Sequence, residues 1–172
     1  LAAAKAGDAI LGVDLPPAAK KLRELMHMAQ YIQSHSLHFF HLASPDLLFG
    51  MDSDPAKRNV IGLIAEKPEI AVKGVVLRKY GQEIIQATAG KKIHGTGAIP
   101  GGVNKNLSVA ERDGFLANIE QILAWSRGAL AIAKDYTSKH LKELQEFGAF
   151  GSNHVSLIRS DGALDLYHGN LR

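Results

Sequence analysis

The chain contains no cysteine. Disulfides, zinc–thiolate sites, iron–sulfur ligation and thiol catalysis are therefore excluded for its own side chains. Net charge is nearly absent as well: 20 Lys and Arg against 17 Asp and Glu leave +3. That excess is too small and too dispersed for nucleic-acid binding, which needs a clustered basic stripe. No apolar run approaches the roughly 18 to 20 residues of a membrane span. The first residues carry no signal-peptide pattern.

What is present are 172 residues, 46% hydrophobic and 22% charged, the proportions of about one ordinary globular domain. Residues 1–8 (LAAAKAGD) have no capping residue before them and read as helix interior. Residues 164–168 (LDLYH) alternate like a strand and stop soon after, at Arg172. A chain that starts inside a helix and ends beside a strand is expected to be a single internal piece, 1–172, of something larger.

Pro16-Pro17 opens a long helical pattern, because a first-turn proline gives up an N–H that had no partner there. Leu22, Leu25, Met28, Ile32 and Phe40 continue it at helical spacing as far as Ser44-Pro45. Asp54-Pro55 predicts a cap and first turn ahead of Val60, Ile61 and Ile64. Pro68 starts a third helix, and Gly90 is its expected C-cap. Ser108 and Glu111 have the capping-box spacing for a fourth pattern that runs to Gly148. Unbroken, it would span roughly 60 Å, longer than the roughly 40 Å diameter of a compact chain of this length. Gly114 and Gly128 are places for a break or for close helix packing. Residues 155–158 and 164–167 predict a hairpin about Ser160-Asp161-Gly162.

Between the third and fourth patterns lies AGKKIHGTGAIPGGVNK, residues 89–105, with five glycines and three lysines. A Walker loop needs its last glycine followed at once by Lys and Ser or Thr, so that the ammonium meets the phosphates. Gly90 and Gly95 have the separation, but Thr96 stands in the lysine's place; Gly97 and Gly102 also have it, and Val103 follows. The dinucleotide pattern matches at Gly95 and Gly97 and fails at Pro100. Both motifs follow a strand, and here a helix precedes. The stretch is not a phosphate loop. It is expected to hold a short strand element near 92–104. Gly95 and Gly97 let backbone approach closely beside His94, whose ring either faces a buried site or caps a helix end as a turn residue.

His27, His35, His38 and His41 fall in one helical pattern. At about 100° per residue, 27 and 38 nearly share an azimuth, with 35 and 41 on either side. Zinc would also want carboxylates or further ligands, and no acid lies between Glu24 and Asp46. Rings that hydrogen-bond other helices are the reading adopted. Ser152, His154 and Asp161 lack the Gly-x-Ser-x-Gly elbow of a hydrolase and are given no catalytic role.

The segment Lys91-Lys-Ile-His-Gly-Thr-Gly-Ala-Ile-Pro-Gly-Gly-Val103 resembles the mid-chain histidine and Pro-Gly-Gly of nickel–iron hydrogenase large subunits. It is most similar to the cytoplasmic, NAD-linked bidirectional type, with Gly95 where many members have proline. The opening stretch, LAAAKAGDAILGVDLPPAAKKLRELMHMAQYIQSHSLHFFHLASPDLLFG, resembles the helices that directly follow this family's first nickel-binding Cys-x-x-Cys. The similarity continues through FLANIEQILAWSRGALAIAKDY to FGSNHVSLIRSDGALDLYHG and so covers essentially the whole chain.

The resemblance implies a dihydrogen-splitting parent of the NAD-reducing type, in the cytoplasm. Such enzymes hold a nickel–iron centre, with carbon monoxide and cyanide on iron, between two cysteine pairs near opposite ends of the large subunit. The metals take hydride and a nearby base, thought to be a thiolate, takes the proton. Electrons leave through an iron–sulfur small subunit; by way of flavin in a diaphorase module they reach the nicotinamide. Both cysteine pairs, and the acid and arginine the family places around the metals, fall outside residues 1–172. A cluster held by four thiolates cannot be rebuilt from imidazole and carboxylate. The chain itself is thus expected to hold no cofactor, no catalytic residue and no metal ligand. His94, Gly101 and Gly102 are the residues expected near the centre.

The expected fold is mainly α: long packed helices of the hydrogenase large-subunit type, one short strand element and one β-hairpin. Exposed apolar stripes on helices meant for a larger body predict that the piece alone self-associates. Two other readings stand beside this one. The related, metal-free subunit of the quinone-reducing respiratory complex also carries a histidine followed by Pro-Gly-Gly. A helical scaffold without enzymatic activity is the other.

Overall fold

In the computed structural model, which describes residues Leu1–Arg172, the alanine-rich start folds as α1 (Ala2–Leu11). Gly12 stops it at φ 62°, left-handed backbone that a β carbon would oppose. The contacts of the chain fall into two compact units, Leu1–Ala133 and Lys134–Arg172.

The first unit is built on two helices, α2 (Pro17–Leu37) and, further along, α5 (Pro68–Ala89). The helical pattern was expected to run straight to Ser44-Pro45. Instead it widens into a π-helical turn, His38–Ala43, before α3 (Ser44–Phe49). Pro45 has no N–H for the carbonyl four residues back. The Ser44 amide donates to the Phe39 carbonyl, and its hydroxyl donates to those of Phe39 and Phe40 at 2.8 Å each. The cap expected at Asp54 is also corrected. Asp54 Oδ1 accepts from the Ala56 amide, which closes a turn only. Asn59 caps α4 (Val60–Glu66), its Oδ1 accepting from the Ile61 and Gly62 amides at 2.9 and 3.1 Å.

α5 begins at Pro68 and ends at Gly90, φ 80°, as its sequence predicts. It runs antiparallel to α2, since Gly81 meets Ala29 and Gln33 while Gly74 meets Phe40. Around that contact lies the core: Leu77, Tyr80, Ile84 and Ile85 from α5 against Ala29 and Phe40, with Ile122 joining them. The loop after Gly90 leads into β1 (Ala98–Ile99) and β2 (Gly102–Val103), an antiparallel pair turning at Pro100-Gly101.

The fourth helical pattern does not form one long rod. α6 (Val109–Leu116) starts from the Ser108–Glu111 capping box, and α7 (Ile119–Lys139) follows after a break at Ala117-Asn118. The break falls at neither Gly114 nor Gly128, where an added β carbon would meet nothing within 4 Å. A partner from another helix marks it: the Tyr80 hydroxyl donates to the Phe115 carbonyl at 3.1 Å. In an unbroken helix that carbonyl would accept from residue 119.

In the second unit, α8 (Leu141–Glu146) follows His140, and β3 (Leu157–Ile158) pairs antiparallel with β4 (Asn170–Leu171). The turn expected about 160–162 is present, with the Gly162 amide donating to the Arg159 carbonyl. Its return arm differs: residues 164–167 give a single bridge, Ile158 to Leu164. Asp165 Oδ1 accepts from the Tyr167 and His168 amides and turns that arm away, so 170–171 become the partner strand. The fold is mainly helical with two small strand pairs. No helix is long and apolar enough to cross a membrane.

Candidate functional site

Arg23 lies on α2 one turn beyond the buried Ala19, at a position the helical pattern turns inward, and is 1% exposed. A buried cation is tolerated only when its donors are used. Arg23 uses them on three elements. Nη1 donates to Asp8 Oδ2 at 2.6 Å and Nη2 to Asp8 Oδ1 at 3.3 Å, reaching α1. Nη2 also donates to the Ile99 carbonyl of β1 at 2.5 Å, and Nε to the Gly102 carbonyl of β2 at 3.1 Å. Asp8 Oδ1 in turn accepts from the Gly101 amide at 2.7 Å. The Arg23 guanidinium, and after it the Gly101 N–H, hold the Asp8 carboxyl below the ordinary carboxylate range, against the opposing effect of burial.

The Pro-Gly-Gly hairpin is thus held through backbone groups. Pro100 packs on Gly7, where a β carbon would lie 2.7 Å from its Cγ. Gly101 has φ 81°. Gly101 and Gly102, expected near a metal centre, face the Asp8–Arg23 pair with an N–H and a carbonyl. Sequence reading missed Asp8 and Arg23. The signal was there: a charge at a core-facing position of α2, and a single acid in an alanine-rich helix.

His94 sits in the loop between α5 and β1, at φ 54°, alone among non-glycine residues in left-handed backbone. Both ends of that loop are tied down. The Thr96 amide donates to the Ala89 carbonyl, and the Asn104 amide to the Gly97 carbonyl. A β carbon on Gly95 or Gly97 would collide with the end of α5, so the close approach expected at those two glycines is present. The His94 side chain is exposed in this chain and lines a cavity of about 410 Å³ together with Leu1, Met26, His27 and Lys92. The first turn of α1 and the His94 loop therefore border one space.

The four histidines of the second helical pattern do not converge. His27 faces the His94 cavity, while His35 and His38 line an apolar groove of about 770 Å³ with Tyr31, Phe39 and Leu130. His27 and His38 are eleven residues apart, roughly 16 Å along the helix axis, and so line different cavities. From His38 to Ala43 the turn is π-helical, and the 3.6-residue period does not carry on to His41. His41 Nδ1 is buried without a hydrogen-bond partner. No three His, Asp or Glu side chains gather as a metal-binding group. The Ser152 hydroxyl donates to the Asn153 carbonyl and Asp161 accepts from the Ala163 amide, so neither is bonded to His154.

Comparison with known proteins agrees with this layout. The family model for nickel-dependent hydrogenase matches residues 1–60. Over its whole length the chain is 42% identical to the NAD-reducing hydrogenase HoxS subunit beta of Cupriavidus necator, covering 38% of that protein. It is 40% identical, again over its whole length, to a vhu-type F420-non-reducing hydrogenase subunit of Methanocaldococcus jannaschii, covering 41% of it. The crystal structure of an NAD+-reducing NiFe hydrogenase in the H2-reduced state aligns with 99% of this chain and 38% of its own, with TM-score 0.89 and 51% sequence identity. The chain spans about two fifths of the length of the relatives it matches. The chain is thus similar from end to end, in sequence and in fold, to part of nickel-dependent hydrogenase subunits, and its residues 1–60 match that family's model.

Proposed function

We propose that residues 1–172 are one internal segment of the hydrogen-activating large subunit of an NAD-reducing nickel–iron hydrogenase, whose reaction is H2 + NAD+ to NADH + H+. The observation that carries this reading is the end-to-end likeness to an NAD+-reducing NiFe hydrogenase.

The segment's own residues do not fit the metal centre as ligands. It has no cysteine, and soft thiolate ligation cannot be replaced by its imidazoles and carboxylates. In this reading the nickel, the iron with its carbon monoxide and cyanide, and their thiolates belong to the rest of the large subunit. His94, Gly101 and Gly102 shape the ground beside them. The parent's partners are a flavin-containing diaphorase module and an iron–sulfur small subunit, in the cytoplasm. The segment alone is inactive and self-associates through apolar residues such as Ile61, Val72 and Leu130, which are 70, 57 and 54% exposed.

The test is made on the full-length protein with its subunits: nickel by elemental analysis, and hydrogen-dependent reduction of a dye and of NAD+. Nickel with NAD+ reduction is the expected result. Dye reduction without NAD+ reduction would move the reading to another electron acceptor. Neither nickel nor activity would sink it in favour of the metal-free quinone-reductase subunit or the scaffold. For the segment alone, a monomeric sedimentation profile with no dye-binding apolar surface would contradict self-association.

A further inference from the structure

We infer that Asp8 and Arg23 are positioning residues: their ion pair sets where the His94 loop stands relative to the first turn of α1. Three observations carry this. First, Arg23 is a fully buried cation, 1% exposed. A well-packed apolar side chain of similar volume would fill the same space without desolvating a charge. What a guanidinium adds is a rigid fork that fixes several acceptors at once. Here the acceptors are Asp8 of α1, Ile99 of β1 and Gly102 of β2, all reached from α2.

Second, the circuit closes on itself. Asp8 accepts from the Gly101 amide at the tip of the same hairpin, so α1 and the hairpin cannot shift separately without breaking a bond to one ion of the pair. Third, both ends of the arrangement reach the His94 cavity. Along α1, Leu1 lies roughly 10 Å from Asp8, seven residues at about 1.5 Å each. On the other side, the residues joining the hairpin to α5 have no slack. Gly95 and Gly97 press on Ala89 and Thr88, and Asn104 ties back to Thr96 and Gly97. Loosening the clamp therefore releases the hairpin end of the loop, and the loop and the start of α1 are no longer held in one fixed relation.

As regards turnover, the inference rests on the hydrogenase reading; as regards geometry, it stands apart from it. Its test uses the full-length protein with Arg23→Lys and Asp8→Asn. Lysine keeps the charge but, as a single point donor, cannot hold Asp8, Ile99 and Gly102 together. Asparagine keeps an acceptor for the Gly101 amide while losing the ion pair, and is the milder change if the lysine variant fails to fold. In both, amide exchange over residues 94–103 should quicken about tenfold or more while Leu77 and Ile84 in the core keep their protection. The kcat of hydrogen-dependent dye reduction should fall about tenfold, with nickel content and KM for hydrogen unchanged, as misplacement without ligand loss requires.

Unchanged exchange over 94–103 in both variants would overturn the inference. So would a loosened hairpin with full kcat, or loss of core protection together with that of the hairpin, which would make the pair a support of the fold alone. A wild-type protein lacking nickel and turnover would instead sink the hydrogenase reading, and the exchange of residues 94–103 would then decide the clamp by itself.

Discussion

Gly81 of α5 and Ala29 of α2 meet backbone to backbone: a β carbon on Gly81 would lie 2.7 Å from the Ala29 carbonyl oxygen. This contact lies within the core formed by the two helices. Gly81→Ala forces them apart, and overpacking of this kind costs about 1–3 kcal/mol. Gly128→Ala is the matched control, because an added β carbon there meets nothing within 4 Å. It should instead gain about 0.5–1 kcal/mol of helix propensity. Thermal unfolding of the two variants of the chain should shift in opposite directions; a stabilised Gly81→Ala would refute the close approach.

The start of α6 depends on Ser108, whose hydroxyl accepts from the Glu111 amide at 3.2 Å. Ser108→Ala leaves that amide without its cap and should cost about 1 kcal/mol. Local hydrogen exchange at residues 109–112 is the direct measurement, with faster exchange expected there and none in α2.

Lys105, and after it the Ser108 amide and hydroxyl, lower the Glu111 carboxyl to about 2. A carboxyl lowered on folding adds stability that is present above its ordinary value of 4.5 and is lost as pH falls toward about 2. Glu111→Gln should therefore be less stable than wild type at neutral pH and lose that deficit on acidification. Added salt should shrink the difference, because the Lys105–Glu111 pair is solvent-accessible. A pH-independent difference between the two proteins would contradict this assignment.

Asp8 obeys the same sign, since its carboxyl is lowered by Arg23 and Gly101. The hairpin at 98–103 should hold its amide protection above the ordinary carboxyl value of 3.8 and lose it as pH falls below that, through the folded value. In Asp8→Asn this acid step should vanish. An identical acid step in wild type and variant would assign it to another group.

Tyr80 and the break in the fourth helical pattern are linked. Tyr80→Phe removes the donor to the Phe115 carbonyl and should cost about 0.5–1.5 kcal/mol. It should also slow exchange of the Ile119 amide, as that carbonyl becomes free to accept from it. Unaltered exchange at Ile119 would show that the break has another cause.

Much of this was legible because it is local. Gly90 ends α5, Ser108 and Glu111 start α6, and Arg159–Gly162 turns where the sequence placed a turn. Each needs only residues within a few positions of one another. Asp54 and Asn59 show the limit: both are good caps, and the choice fell to Asn59, whose Oδ1 meets two amides of α4. The π-helical turn escaped notice because a period-3.6 template has no place for it. In the loop that carries His94, Gly95 and Gly97 were read for the right physical reason, close backbone approach. Arg23 was overlooked because a charged residue inside an apolar pattern looks like an interruption until its acceptors are known.

The sequence by itself determined the long helices, several of their ends, the absence of thiolate chemistry and, through the histidine and Pro-Gly-Gly segment, the resemblance to the family. Those follow from short-range sterics, capping and residue identity. Only the tertiary structure decided that Asp8, Arg23 and the hairpin at 98–103 form one clamp, that Tyr80 meets the carbonyl at the break after α6, and that Leu1 and His94 face one cavity. A hydrogen bond between residues 93 positions apart leaves no periodic trace in the chain, because its geometry is set by how separate helices pack and not by either residue's neighbours.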